Sequence, residues 1–308
     1  MKKSLFIISI VLMINAYNYA QNLGISADGS MPDNSAILDI KSTTGGLLIP
    51  RMTTTERNAI SNPAQSLIIY NLTTKCVEIY ESNQWQTIWC NDPCSGVSTI
   101  SYDGVTYNIV KIGSQCWFKE NLRTTKYNDN NSIPEVTDAS IWTSTTSGAY
   151  CCYDNNPSNC DTYGALYNWY AVGTGKLCPS GWHVPSDDEW YTLTNYLSAN
   201  SQYWCGGNSN YIAKSLASTS TLWNTYTVTC TVGNDLSVNN STGFSALPGG
   251  YCNYAGSFDY LSERGYWWSS TEKSASEAYY RLMYYNSSNV GRTSFDKRSG
   301  LSVRCLCD

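Results

Sequence analysis

The side chains best suited to acid–base or metal chemistry are few in this sequence. There is one histidine, His183, so a multi-histidine metal site is excluded and any histidine-based triad must include this residue. No nucleophile motif accompanies it, and we interpret His183 as a buried structural residue that is hydrogen-bonded near the start of a helix. The acidic run 187–189 is typical of a first helical turn, where the helix dipole favours negative charge. We therefore predict no catalytic site and no enzymatic activity.

The thirteen cysteines are a second candidate for chemistry, and their meaning depends on the compartment. Lys2 and Lys3 precede a short apolar run that ends in small and polar residues at Ala20, which predicts a secretory signal peptide over residues 1–20. No later stretch is apolar and long enough to predict a membrane span. In an exported chain without a CxxC pair, cysteines are expected to form disulfides, and the odd total leaves one thiol over.

A third candidate is a stretch near the end of the chain that is rich in tyrosine, asparagine and arginine. Rigid rings beside adaptable amides are typical of binding surfaces. The predicted ligand-binding residues are Trp267, Trp268, Tyr279, Arg281, Tyr284, Asn286, Asn289 and Arg292. For the two tryptophans a place in the core is the alternative, because Trp is highly buried on average. For the remaining residues the alternative is ordinary surface.

Composition limits the partners of such a surface. Charged residues make up 14% of the chain and the net charge is −5, whereas about 25% charged residues is usual and nucleic-acid binding needs a basic patch. We predict a glycan or a surface protein as partner, and no nucleic acid. The 25 Tyr and 11 Trp residues exclude a disordered chain, because such rings bury enough area to offset the entropy of ordering the backbone.

The elements that must position these residues fall into two segments. Residues 21–90 contain several short strand patterns and one helix start, a capping box at Thr53 and Glu56. Cys76 and Cys90 flank a predicted hairpin and are expected to form a disulfide, because the ends of antiparallel strands lie close together. The core of this small β-rich, stalk-like segment is thin, which leaves oligomer formation through it open. The turn-rich residues 91–97 are the predicted linker.

Residues 98–308 form the second domain. An apolar stripe predicts a helix over residues 161–172, and a capping box at Ser186 and Glu189 predicts a second helix behind it. Strand patterns return at residues 266–270, 278–284 and 301–306. Two helices, long loops and then strands predict the α+β class.

Six short motifs of this domain resemble one known family. In order, they are residues 121–125, 163–170, 177–185, 243–251, 265–271 and 302–305. They resemble the Fibrobacter succinogenes major paralogous (FISUMP) domain, which is similar in turn to the C-type lectin-like fold. The resemblance implies a disulfide-braced domain of two helices, antiparallel strands and long loops. Residues 49–53 and 62–64 of the first segment resemble a lead-in of Bacteroidetes surface proteins.

The resemblance also bears on ligands. In retroelement variable proteins, which share the fold, the region that matches residues 279–298 displays the ligand-binding face. Calcium-binding lectins carry carboxylates where this chain has Leu247–Gly249 and Trp267–Ser270, so we predict no cofactor and leave calcium open. A disulfide between Cys178 and Cys305 is expected to tie the loop before the second helix to the last strand.

We therefore expect a secreted or cell-surface recognition protein, adhesin-like and without catalysis. One alternative is a copper-dependent oxidase of the formylglycine-generating type, which the ending Gly300–Cys305 resembles. Soft thiolates would suit Cu(I), but the cysteine-rich active-site stretch of those enzymes is not recognisable upstream. The other alternative is a structural surface-coat protein.

Overall fold

The computed structural model describes residues 22–90, 94 and 96–308. The predicted signal peptide and most of the predicted linker lie outside these residues. The chain divides into two compact units, Met1–Arg51 and Met52–Asp308. This division lies closer to the N-terminus than the boundary expected at residues 91–97.

The described part of the first unit has two short strands. They are β1 (Leu23–Ser26) and β2 (Leu38–Lys41), which pair in parallel. The strand pattern at residues 47–50 does not form a strand. No side chain of residues 22–51 is buried, and Leu23, Ile25 and Leu48 are among its exposed apolar residues. The described residues of this unit therefore lack a core of their own.

The second unit begins with a small four-stranded sheet. Its elements are β3 (Arg51–Met52), α1 (Thr54–Asn58), β4 (Leu67–Asn71), β5 (Cys76–Glu81) and β6 (Gln84–Cys90), with the strand order β3-β4-β5-β6. The predicted capping box is present, because Thr53 and Glu56 each bond the other's backbone N–H. Cys76 lies opposite Cys90 in the register of β5 and β6. The Cys90 side chain is outside the described part, so their disulfide stays a prediction.

Twelve strands and five helices follow in the rest of the unit. The strands are β7 (Thr99–Tyr102), β8 (Val105–Ile112), β9 (Gln115–Phe118), β10 (Tyr150–Cys151), β11 (Leu166–Tyr167), β12 (Trp182–His183), β13 (Gly249–Cys252), β14 (Phe258–Leu261), β15 (Arg264–Glu272), β16 (Glu277–Tyr284), β17 (Gly291–Asp296) and β18 (Leu306–Cys307). The helices are α2 (Ala139–Ser144), α3 (Pro157–Tyr163), α4 (Trp169–Val172), α5 (Asp187–Ala199) and α6 (Ala213–Leu216). Single 3₁₀ turns occur at Tyr153–Asn155, Ser201–Tyr203 and Leu236–Val238.

These strands form one five-stranded sheet and several smaller ones. The larger sheet has the order β12-β18-β9-β8-β7, and a three-stranded sheet has the order β15-β16-β17. All the pairings in these two sheets are antiparallel. Helices together with antiparallel sheets confirm the α+β class at this level.

The helix predicted from the second capping box is confirmed. Ser186 accepts a hydrogen bond from the backbone N–H of Glu189, whose carboxylate reaches back to the Ser186 N–H. Trp190, Leu193 and Leu197 of α5 are buried, as the apolar stripe indicated. They pack in one cluster with Trp117 and Trp267.

The helix predicted over residues 161–172 is wrong. The region instead contains the end of α3, then β11, then α4. Gly164 ends α3 with a φ of 84°, and a Cβ there would lie 2.5 Å from the Cβ of Asn121. Asn168 then caps α4 by accepting the N–H of Ala171. The apolar spacing mimics a helix because two short helices and a buried strand follow one another.

Four disulfides among the described side chains brace the second unit. They are Cys94–Cys116, Cys152–Cys160, Cys178–Cys305 and Cys205–Cys230. Three described cysteines are thiols, namely Cys151, Cys252 and Cys307, so the expectation of a single spare thiol is corrected. The neighbours Cys151 and Cys152 diverge because consecutive side chains of an extended chain point in opposite directions. Cys152 meets Cys160, whereas Cys151 lies in an apolar cluster with Cys252.

Candidate recognition surface

The three-stranded sheet β15-β16-β17 positions most of the predicted ligand-binding residues, but it divides them. Successive side chains of a strand point to opposite faces. On β16, Tyr279 and Arg281 therefore share one face, while Tyr280 and Tyr284 share the other. The candidates lie on two surfaces rather than on one.

Trp267 and Trp268 of β15 belong to neither surface. Both are essentially unexposed, and both indole N–H groups donate to buried acceptors. Trp267 donates to Oδ1 of Asn121 at 2.9 Å, and Trp268 donates to the carbonyl of Tyr167 at 2.8 Å. The expectation of a stacking platform for a ligand is corrected, because these two rings are part of the core.

The first face, which we call the arginine face, comprises Asp187, Tyr279, Arg281 and Arg292. Nε of Arg292 donates to both oxygens of Asp187, at 3.0 and 2.8 Å. Arg281 is buried and donates to Oδ1 and to the carbonyl of the same residue. Burial alone would raise the pKa of Asp187, but the hydrogen bonds from Arg292 and Arg281 outweigh it and hold that pKa below its usual value. On this face one carboxylate therefore pairs with both guanidinium groups.

The second face, which we call the tyrosine face, is a connected cluster of rings with one arginine. Its members are Tyr251, Tyr260, Arg264, Tyr266, Tyr280, Tyr284 and Phe295. The Tyr280 and Phe295 centroids are 4.6 Å apart, and those of Tyr251 and Phe295 are 5.2 Å apart. Tyr266 and Tyr280 are buried, whereas 40% of Tyr260 is exposed. The cluster therefore extends from the core to solvent.

Arg264 lies against the outer rings of the tyrosine face. Its Cζ is 3.6 Å from the ring centroid of Tyr260 and 4.6 Å from that of Tyr284. Arg264 and Tyr284 are direct cross-strand partners on β15 and β16, and Arg264 donates to the Tyr266 hydroxyl at 3.4 Å. Sequence reasoning identified Tyr284 but missed Tyr260 and Arg264. Their spacing of four residues across the turn between β14 and β15 was the available signal.

Asn286 and Asn289 lie in the connection between β16 and β17, away from the strand faces. Asn289 lines a shallow depression of about 290 Å³, together with residues such as Asn210 and Ile212. Neither asparagine side chain makes a hydrogen bond within the described residues. The structure therefore places these two candidates in a loop, whereas Tyr284 and Arg292 lie on strands.

His183 is hydrogen-bonded near the start of α5, as expected, but it is half-buried rather than buried, because 34% of its side chain is exposed. Its Nε2 is 2.9 Å from Oε1 of Glu189, a capping residue of α5, and its Nδ1 is 2.5 Å from Oδ1 of Asp308. Burial alone would lower its pKa, but the hydrogen bonds that its ring donates to the carboxylates of Asp308 and Glu189 outweigh it and raise the pKa of His183. Within the described part of the chain, no three acidic, cysteine or histidine side chains come together to hold a metal ion.

None of the helices among the described residues is long and apolar enough to cross a bilayer. The fold and the tyrosine face together define a disulfide-braced α+β domain with an aromatic surface.

The comparisons with known proteins specify this class further. The family model of the Fibrobacter succinogenes major domain matches residues 110–306, and the chain belongs to that family. A model of a phage tail like trimerisation region matches residues 24–100. Neither a search of curated proteins nor a search of solved structures finds a match.

Proposed function

We propose that this is an exported, surface-displayed recognition protein without catalysis, and that its C-terminal domain is a C-type lectin-like domain that binds a glycan or a protein surface. The tyrosine face carries this proposal. Aromatic side chains are enriched where proteins bind partners, because they offer a large rigid area at a low entropic cost. Here the partly buried rings of the cluster pack against Tyr266 and Tyr280, which are buried.

The disulfides support an extracellular location. Four pairs of cysteines at bonding distance are typical of chains that fold in an oxidising compartment. Cys178–Cys305 also bears on the oxidase alternative. The Cys305 thiol, which lies in the ending that suggested copper chemistry, is already used in a disulfide. This favours recognition over the copper-dependent oxidase.

The N-terminal residues supply a second part of the proposal, which is trimer formation. The match to a trimerisation region covers residues 24–100, and the first unit exposes Leu23, Ile25 and Leu48. Apolar side chains without a core of their own are stabilised when other copies of the chain cover them. A trimer would present three tyrosine faces, so weak single contacts would add up to avid binding. Analytical ultracentrifugation of the exported protein should give three times the monomer mass.

Binding of the exported full chain to glycan and surface-protein arrays tests the recognition function. We expect binding that the Tyr260→Ala variant loses, because that ring is the most exposed of the cluster. Tyr191→Ala is the matched control, since Tyr191 is an exposed tyrosine of α5 outside the tyrosine face. Arms with calcium and with chelator decide whether the ion takes part. Absence of binding in every arm would favour a structural surface coat.

A further inference from the structure

Arg264 differs from every other arginine of the C-terminal domain. The sequence from residue 94 onward contains six arginines. Arg123, Arg281, Arg292 and Arg298 each form an ion pair with an aspartate, and the buried Arg304 donates to Asn121 and to backbone carbonyls. Arg264 meets neither a carboxylate nor a carbonyl among the described residues.

The guanidinium of Arg264 is nevertheless held in place. The rings of Tyr260 and Tyr284 contact it, and the Tyr266 hydroxyl accepts one long hydrogen bond. A guanidinium has five N–H donors in a fixed planar arrangement. Most of these donors are left for a partner that the protein itself does not supply, and the geometry suits the two oxygens of a carboxylate.

Among the described residues, Tyr260 is the one aromatic residue with a positive φ. Its φ is 64° and that of Ser262 is 65°, a left-handed conformation that is unfavourable for a residue with a Cβ. Tyr260 lies in β14, and Ser262 lies in the turn that joins β14 to Arg264 at the start of β15. Strained backbone of this kind persists where the surrounding structure enforces it, and it clusters at binding sites.

We propose that Arg264, with the rings of Tyr260 and Tyr284, binds the carboxylate of an acidic sugar. This inference rests on the recognition function proposed above and names its ligand class. Arg264 pairs with the carboxylate through two parallel hydrogen bonds, and the sugar ring contacts the exposed part of Tyr260, whose ring carries Arg264 and is stacked on Tyr251. An acidic peptide could also offer a carboxylate, but the flat aromatic rim beside the arginine favours a saccharide.

The test uses carboxylated sugars and their uncharged counterparts. The exported full chain is titrated by calorimetry with galacturonate trimer, hyaluronan tetrasaccharide and sialyllactose, and with the methyl ester of each. We expect at least one acid to bind, and its ester to bind at least about tenfold more weakly, because the ester removes the charge that strengthens both hydrogen bonds from Arg264.

Variants then assign that binding to the site. Arg264→Gln and Tyr260→Ala are each expected to weaken it at least about tenfold, whereas Tyr260→Phe keeps the ring and the affinity. Arg298→Gln is the matched control, because Arg298 also lies against a tyrosine, Tyr254, but is paired with Asp296. Near-ultraviolet circular dichroism checks that each variant is folded.

Three outcomes overturn the inference. They are equal binding of acid and ester, unchanged affinity in a folded Arg264→Gln variant, and binding of acidic peptides but of no acidic sugar. Each differs from a failure of the recognition function itself. If Arg264→Gln keeps the array binding that Tyr260→Ala loses, recognition stands and the acidic sugar is excluded. If the chain binds nothing on the arrays or in the titrations, both proposals fail.

Discussion

On each face of the sheet β15-β16-β17 an arginine packs on a tyrosine ring, but within the described part of the chain only one of the two arginines pairs with a carboxylate. On the arginine face, Arg292 lies 4.0 Å from the ring of Tyr279, and on the tyrosine face Arg264 lies 3.6 Å from the ring of Tyr260. Asp187 accepts hydrogen bonds from Arg292 and Arg281, whereas Arg264 meets no such carboxylate among the described residues. Arg292, which the chain supplies with a carboxylate partner, is thus part of the scaffold. Arg264 has no such partner among the described residues, so its N–H groups can bind a ligand.

The largest expected effect lies on the arginine face. Asp187→Asn leaves the buried guanidinium of Arg281 without its anion, and we expect a loss of about 3 kcal/mol in the free energy of unfolding. Urea denaturation measures it. Asp188→Asn is the matched control in the same helical turn, and its exposed carboxylate should change stability by less than about 0.5 kcal/mol. If both substitutions lowered the free energy of unfolding equally, the ion pair of Asp187 with Arg281 would not explain the loss, and the contrast between the two faces would fail.

The decrease in the free energy of unfolding at acidic pH should also depend on Asp187. Its pKa in the folded protein is lower than the usual 3.8, so its contribution is present above that value and is lost as the pH falls through the folded pKa. Urea denaturation between pH 5 and pH 3 should therefore show a steeper loss in the wild type than in Asp187→Asn. The other carboxylates titrate in both proteins and cancel in the difference. Parallel curves would mean that Asp187 is not held ionised by its arginines.

On the tyrosine face, the expected effect on stability is smaller. Arg264→Gln removes the contacts with two rings, which we expect to cost about 1 kcal/mol or less. No buried charge loses its partner, because Arg264 has no ion pair within the described residues. Thermal and urea unfolding measure the change. A loss well above 2 kcal/mol would assign Arg264 to the scaffold and remove the contrast between the faces.

The smallest effect is expected for the exposed partner of Asp187. The Arg292 side chain is 49% exposed, so solvent screens its ion pair, and Arg292→Gln should lower the free energy of unfolding by about 0.5 kcal/mol. The difference from the wild type should shrink in 1 M salt, where charges are screened within a few ångströms. If salt does not change this difference in the free energy of unfolding, Arg292 stabilises the protein by packing on Tyr279 rather than by its charge.

The features predicted correctly from the sequence are those that depend on residues close together in the chain. The capping boxes at Thr53 and Ser186 and the buried stripe of α5 are set by contacts within one or two helical turns, and each was found where the pattern indicated it. The helix expected over residues 161–172 failed for a non-local reason. Gly164 packs closely against Asn121, a contact that the local apolar spacing does not contain.

The candidate surface was predicted only in part for the same reason. Composition indicated a binding stretch on β16, but it could not say which residues share a face, so Tyr284 and Arg292 were grouped together. It also could not distinguish a buried tryptophan from an exposed one, as with Trp267. Arg264 was missed because its position depends on the left-handed backbone of Tyr260 and on a cross-strand partner twenty residues away.

The disulfide between Cys178 and Cys305 has a consequence for how this surface can evolve. It joins residues 127 positions apart, and the segment between them includes both faces of the three-stranded sheet. The free-energy cost of closing a loop grows only slowly with the length of the loop. Insertions and substitutions between the two cysteines therefore leave the disulfide and the ends of the segment in place. The segment between the two cysteines can therefore change in length and sequence while the disulfide keeps its two ends together.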